Sequence, residues 1–260
     1  MIHQLSYIHP DAKLGNDVTV EPFAFIGEGV TIGDGSWIGP HATILSGSFL
    51  GKNCKVFPGA VIGAIPQDLK YKGENSTVVI GDNVIIRECC TLNRGTEYSM
   101  TTKIGSNTLL MAYVHVAHDC FIGNHCIIAN SVNLAGHITV GDYVIIGGMS
   151  AVHQFVKIGE HAMIGGGSLV RKDVPPFVKA AREPLSYAGV NSIGLKRRGF
   201  SDDEVNHIMD IYRILFVKGS NVKKSVELIE VSIPNSKYKD QILAFLGQAD
   251  RGLMKGFKQI

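Results

Sequence analysis

The stretch Ile104-Gly-Ser-Asn-Thr-Leu-Leu110-Met-Ala-Tyr-Val-His-Val116-Ala-His-Asp-Cys-Phe-Ile122-Gly-Asn-His-Cys-Ile-Ile128 puts an aliphatic residue at every sixth position. Followed outward, the same phase runs from Ile8 to Val170; of its 28 positions 25 are Ile, Leu or Val, and only Asp68, Glu74 and Tyr98 break it. A period of six is neither helical nor the plain alternation of a strand. It fits a triangular solenoid in which each hexapeptide supplies one short strand and one corner. Three hexapeptides then make a coil of 18 residues, coils stack at roughly 4.8 Å, and the aliphatic ladder fills the prism. Glycine often follows the ladder residue, as at Gly105 and Gly123, where the backbone turns a corner that a Cβ would obstruct. Four residues after each aliphatic comes a small or β-branched wall residue. Cys54, Cys90, Cys120 and Cys126 hold that place, so they are expected to be reduced wall residues.

The ladder is interrupted at 64–77 (AIPQDLKYKGENST) and 93–102 (NRGTEYSMTT), polar stretches expected to leave the prism as loops that shape a ligand surface. The solenoid is expected over 1–174, with a connecting segment at 175–200 that opens on Pro175-Pro176 and carries the basic run Lys196-Arg197-Arg198. Residues 201–260 read as helices. Ser201-Asp-Asp-Glu204 has the capping-box form, Val205, Ile208, Met209, Tyr212, Leu215 and Phe216 follow at helical spacing, and Gly219 ends the element; further helices are expected at about 221–231 and 237–254.

Thirty glycines with 18% charged residues exclude a disordered chain. No apolar run reaches membrane-spanning length, and the opening MIHQLSYIHP lacks a basic and then apolar leader, so a soluble cytoplasmic protein without stable membrane insertion is expected. Residues 1–174 carry 11 Lys and Arg against 14 Asp and Glu, and 175–260 carry 14 against 9. The basic tail suits an acidic partner or a phosphorylated ligand and is too weak for nucleic acid.

Of ten histidines, His115, His118, His137 and His153 fall on one edge of neighbouring coils, just past the second loop. His3, His9, His41, His125, His161 and His207 fall elsewhere and are expected to have no such neighbours. The column admits three readings: a hydrogen-bonded structural ladder, a zinc site, or a general base, with Asp119 beside His118 to hold the imidazole and steady its protonated form. Spacing alone leaves metal and base open.

The repeat resembles the hexapeptide-repeat acyltransferases, which implies a left-handed parallel β-helix. The blocks His115-Val-Ala-His118-Asp119-Cys120, Asn133-Leu-Ala-Gly136-His137, Ile146 to Phe155, Ile65-Pro-Gln-Asp68-Leu-Lys70-Tyr71 and Gly189 to Phe200 are similar, over nearly the whole chain, to the UDP-N-acetylglucosamine acyltransferases that begin lipid A synthesis. That resemblance implies transfer of a long-chain 3-hydroxyacyl group from the phosphopantetheine of acyl carrier protein to the sugar 3-hydroxyl, with neither metal nor other cofactor. It implies His118 as base, Asp119 as its partner and the Gly136 N–H as oxyanion donor. Asp68, Lys70, His115 and His137 would contact the sugar and acyl chain, with His153 in support; Gln154, Asn191, Arg197 and Arg198 would hold the nucleotide. It also implies a homotrimer with sites between subunits. Gly166 stands where a bulky residue would shorten the acyl groove, Pro184 where some members have histidine, and Ile193 where the family usually has a glutamate facing the nucleoside. The basic residues Arg171, Lys172 and Lys196 to Arg198 are expected to meet acyl carrier protein. Rival readings are an N-acyltransferase of the same superfamily, a zinc hydratase of the gamma carbonic anhydrase kind, and a non-catalytic trimeric scaffold.

Overall fold

The computed structural model describes residues 1–218 and 221–256. The aliphatic ladder residues lie in short strands, most of two residues, from Tyr7–Ile8 to Leu169–Val170. Each strand pairs in parallel with its counterpart one coil away, as in Tyr7↔Phe25 and Phe25↔Thr43. The stack builds sheets of nine, eight and eleven strands. Isoleucine, leucine and valine suit these strands because the inward position is fully desolvated: Ile26, Ile44, Ile62, Leu92, Val116 and Leu134 form one buried column whose stacking drives the fold. The wall cysteines Cys54, Cys90, Cys120 and Cys126 are buried and free. Burial pushes the Cys120 and Cys126 thiols up to about 12, so they are inert as nucleophiles.

Corners are tight. A Cβ at Gly105 would stand 2.5 Å from the backbone carbon of Gly123 in the next coil. Other corner residues take left-handed backbone, among them Asp119 (φ 58°), His137 (φ 64°) and Phe155 (φ 65°), and Asp and His tolerate that region better than most residues with a Cβ.

The sheet partner of Ile62 is Leu92 and that of Leu92 is Val116, so these two coils hold more than the usual complement. The surplus forms loops at 65–76, between strands Val61–Ala64 and Thr77–Ile80, and at 94–100, between Thr91–Asn93 and Thr101–Ile104. Residues at both ends of each interrupted stretch therefore stay in the sheets. Both loops leave by the same edge of the prism, the edge that carries His118 one coil later.

Residues 175–200 hold more regular structure than a connecting segment. Val178–Ala181 stacks in parallel on Met163–Ile164, Ser186–Val190 folds back antiparallel on it, and α1 spans Ser192–Arg197. Then come α2 (Asp202–Arg213), a π-helical turn (Ile214–Lys218), α3 (Val222–Ser232) and α4 (Lys237–Gly247). The capping box at Ser201 and Glu204 is formed. α2 buries Val205, Ile208, Ile211 and Tyr212, and the Tyr212 hydroxyl donates to Pro176 O at 2.6 Å, locking the helix onto the end of the prism; Met209 lies on the exposed side. Gly219 lies outside the described residues. The last helix stops at Gly247 rather than 254 because the following segment returns to the prism. There the buried Asp173 carboxylate accepts from the N–H groups of Arg251 (3.0 Å) and Lys157 (2.7 Å), and Lys255–Gly256 pairs with Ser186–Tyr187. Among the described residues no helix is long and apolar enough to cross a membrane.

Candidate active site

The edge from which both loops emerge gathers most of the expected catalytic residues. His118 is buried, and its Nδ1 lies 2.8 Å from Asp119 Oδ2. Its Nε2 faces the first loop, 4.0 Å from Asp68 Oδ2, and Asp68 is itself turned by accepting from the Lys70 N–H at 2.9 Å. Gly136 lies against the ring, since a Cβ there would be 2.5 Å from His118 Cε1. His137 packs edge-on to His118 (centroids 4.9 Å apart) and stacks flat on Phe155 (4.3 Å), and Tyr98 of the second loop closes over it (4.6 Å). His115 Nδ1 is 2.8 Å from Thr91 Oγ1.

Burial, and then the neighbouring His118, lower the pKa of His115. Burial likewise lowers that of His137, against the opposing pull of Asp119. Burial alone would push the Asp119 carboxyl up, but hydrogen bonds from His118, Ser99 and Thr96 outweigh it and hold the group well below the usual carboxylate range. Asp119 is thus a fixed anion beside the imidazole.

His153 is exposed, and its Nδ1 is 3.1 Å from Arg251 Nη2 of the returning C-terminal segment; Gln154 beside it is exposed as well. The remaining candidates lie elsewhere. Asn191 is buried and donates from Nδ2 to His161 O (3.0 Å). Arg198 donates to Tyr143 O (3.0 Å) and lies over the Tyr143 ring, with Nη1 buried and unpartnered, while Arg197 is exposed. This group occupies a second edge of the prism. Gly166, against Gly148 O, occupies the third, with Pro184 exposed in the turn after Val178–Ala181. One protomer does not bring the three groups together.

His125 and His161 do have column neighbours, contrary to the sequence expectation. His125, Tyr143 and His161 stack face to face at 4.7 and 4.8 Å, one coil apart, a spacing legible once Tyr143 is counted with the histidines. Burial and the nearby Arg198 pull His161 down to about 4. Thr96 and Ser99, which grip Asp119, had no signal in the sequence beyond their place in an ejected loop.

His118, Asp119 and His137 have ligand atoms within 4.8 Å of one another. The set does not fit zinc. Asp119 already accepts from two hydroxyls, two backbone N–H groups and the imidazole, and His115 and His153 are turned to Thr91 and Arg251, so among the described residues no three imidazoles converge.

Fold and edge define the class: a hexapeptide-repeat transferase. Residues 101–136 match the family described as bacterial transferase hexapeptide (six repeats), and 173–254 match the second domain of UDP-N-acetylglucosamine O-acyltransferases. The acyl-[acyl-carrier-protein]–UDP-N-acetylglucosamine O-acyltransferase of a Sulfurihydrogenibium species is 56% identical over 97% of this chain and 93% of its own length. That of Chlorobium phaeobacteroides is 59% identical over 96% of both. The crystal structure of the Bacteroides fragilis UDP-N-acetylglucosamine acyltransferase matches with a TM-score of 0.96 at 47% identity, covering 98% of this chain and all of the other. The chain belongs to the acyl-[acyl-carrier-protein]–UDP-N-acetylglucosamine O-acyltransferase family, and its prism is the left-handed parallel β-helix of that family.

Proposed function

We propose that the protein moves a long-chain (3R)-3-hydroxyacyl group from the phosphopantetheine thioester of acyl carrier protein to the 3-hydroxyl of UDP-N-acetylglucosamine, the first step of lipid A biosynthesis. The observation that carries the mechanism is the His118 ring, held through Nδ1 by an ionised Asp119 at 2.8 Å, with Nε2 turned to the loop side, 4.0 Å from Asp68 Oδ2. Nε2 takes the proton of the sugar hydroxyl as its oxygen attacks the thioester carbonyl. The Gly136 N–H steadies the oxyanion. Collapse expels the pantetheine thiolate, which receives the proton from the imidazolium. Asp68, Lys70, His115 and His137 bound the sugar and acyl chain, with His153 in support.

Gln154, Asn191, Arg197 and the free Nη1 of Arg198 hold the nucleotide, with Ile193, exposed at 64%, giving the nucleoside no carboxylate. Because Asn191, Arg197 and Arg198 lie on a different prism edge from His118 and Gln154, the working form is a homotrimer with sites between subunits. A column of partly exposed aliphatics on one outer face, Ile85, Leu109, Ile127, Ile145 and Met163, supports this. Gly166 leaves the acyl groove open for a long chain. Carrier protein docks through the basic surface: Arg171 pairs with Glu183 and Lys196 with Asp202, exposed pairs that exchange at little cost, while Lys172 and Arg197 are exposed.

The test is turnover of UDP-N-acetylglucosamine with a panel of 3-hydroxyacyl carrier-protein thioesters, in the intact protein, in His118→Ala and after chelation. Transfer that survives chelation and is lost in His118→Ala is expected. No transfer from any thioester removes the assignment.

A further inference from the structure

Asp119 does more than hold the His118 ring. Its Oδ1 accepts from the backbone N–H groups of Thr96 (3.0 Å) and Ser99 (3.2 Å) and from Ser99 Oγ (2.5 Å). Its Oδ2 accepts from Thr96 Oγ1 (2.6 Å), sharing that oxygen with His118 Nδ1. Thr96 and Asp119 are buried and Ser99 is half-buried, so water does not replace the bonds from Thr96. The corner N–H of Asp119 is itself bound to Thr102 Oγ1 (2.9 Å). The second loop is tied in turn to the first by Arg94 Nη2 to the Tyr71 hydroxyl (3.2 Å), and Asn93, the strand residue just before it, adds a bond from Nδ2 to Ile65 O (2.9 Å). One carboxylate therefore joins the imidazole to loop 94–100, and through that loop to the segment that carries Asp68.

A carboxylate whose lone pairs are shared among hydroxyl and amide donors has less charge to offer an imidazolium. We infer that Thr96 and Ser99 are positioning residues of the reaction, whose hydroxyls act through Asp119 to fix the His118 ring and to limit how tightly the carboxylate retains the proton that the ring takes up. The inference rests on His118 as the base. The titratable and charged groups around that ring are Asp119, Asp68, His115 and His137, with Lys70 in electrostatic reach of His137. Of these only Asp119 touches both the ring and the two hydroxyls.

Thr96→Val with Ser99→Ala removes both hydroxyls and keeps both backbone donors. The expected result is a fall in kcat of about tenfold or more, with KM for the sugar nucleotide within about twofold of wild type and the acid limb of the kcat profile moved up by about one pH unit. Thr96→Ser is expected to behave as wild type. Nuclear magnetic resonance titration of the labelled His118 imidazole, in the double variant and in Thr96→Val alone, reads the same upward movement even where turnover is lost. An acid limb and an imidazole titration that stay at the wild-type position overturn the inference, whatever happens to kcat. So does a rise in KM with an unmoved limb, which reduces both residues to loop packing. His118→Ala measured alongside separates the two ideas. If it still turns over, the base assignment falls; if it is inactive while the double variant titrates as wild type, only the positioning role falls.

Discussion

At the scale of single residues, the site is governed by how closely the backbone of one coil approaches the side chains of the next. Gly136 is the clearest case. A methyl group there would lie 2.5 Å from Cε1 and 2.8 Å from Nε2 of His118, inside van der Waals contact with the nitrogen proposed to take the proton. Gly136→Ala is therefore expected to push the ring off its line with Asp119 and lower kcat by on the order of a hundredfold, with the melting temperature nearly unchanged; steady-state kinetics and calorimetry on one preparation check both. Asp119 leads to a pH prediction. Its carboxyl lies below the usual range in the folded protein, so the unfolded chain takes up its proton first as the pH falls. The stability that it contributes is fully present above about pH 4 and is lost as the pH drops further, through the folded-state value. The gap in unfolding free energy between wild type and Asp119→Asn should thus be widest near neutrality and narrow below about pH 4 in urea titrations. A gap that widens on acidification contradicts this.

At the scale of elements, the ladder was legible in the sequence because one physical demand, an aliphatic inside every strand, repeats without exception outside the loops. The place of the site was legible too, since His118 and Gly136 each fall two residues past a ladder position on adjacent coils, just after the second break, whereas the chemistry of that edge was not written in the spacing. The remainder depends on contacts that have no period. Strand Val178–Ala181 continues a sheet after the hexad has stopped, and α4 ends at Gly247 because buried Asp173, far away in the chain, captures the Arg251 N–H. The stacked edge of His125, Tyr143 and His161 is an intermediate case, periodic but mixed in residue type. It carries its own prediction. Inside this stack, beside Arg198, His161 is pulled down to about 4, so between about pH 6.5 and 4 the unfolded chain binds a proton that the folded one refuses. Stability should fall over that window by on the order of 2–3 kcal/mol. His161→Phe keeps a flat ring in the stack and is expected to abolish that part of the slope, as read from denaturation midpoints at pH 7.5 and pH 5. An unchanged slope would put the charge sensitivity elsewhere.

At the scale of the whole molecule, the three edges of the prism set what one chain can do. His118 and Asp119 stand on the edge of the ejected loops, while Asn191 and Arg198 are bound to His161 and Tyr143 on another, with Arg197 in the same short helix. A rigid solenoid cannot fold one edge over onto another, because the sheets between them are packed on a continuous aliphatic core. If catalysis requires both groups, they must come from different chains. Ile127→Asp, on the outer aliphatic column, should then dissociate the assembly in sedimentation and abolish turnover while the isolated prism stays folded. Complementation gives a sharper form of the argument. His118→Ala and Arg197→Ala chains are each expected to be nearly inactive alone. Co-expressed in equal amounts, chains that assemble as proposed should give mixed trimers in which some sites join an intact His118 from one chain to an intact Arg197 from its neighbour. Random assembly makes about one site in four of that kind, so the mixture should recover about a quarter of wild-type activity. Were both groups drawn from a single chain, every site in the mixture would lack one of them and no activity would return, whatever the ratio of the two chains.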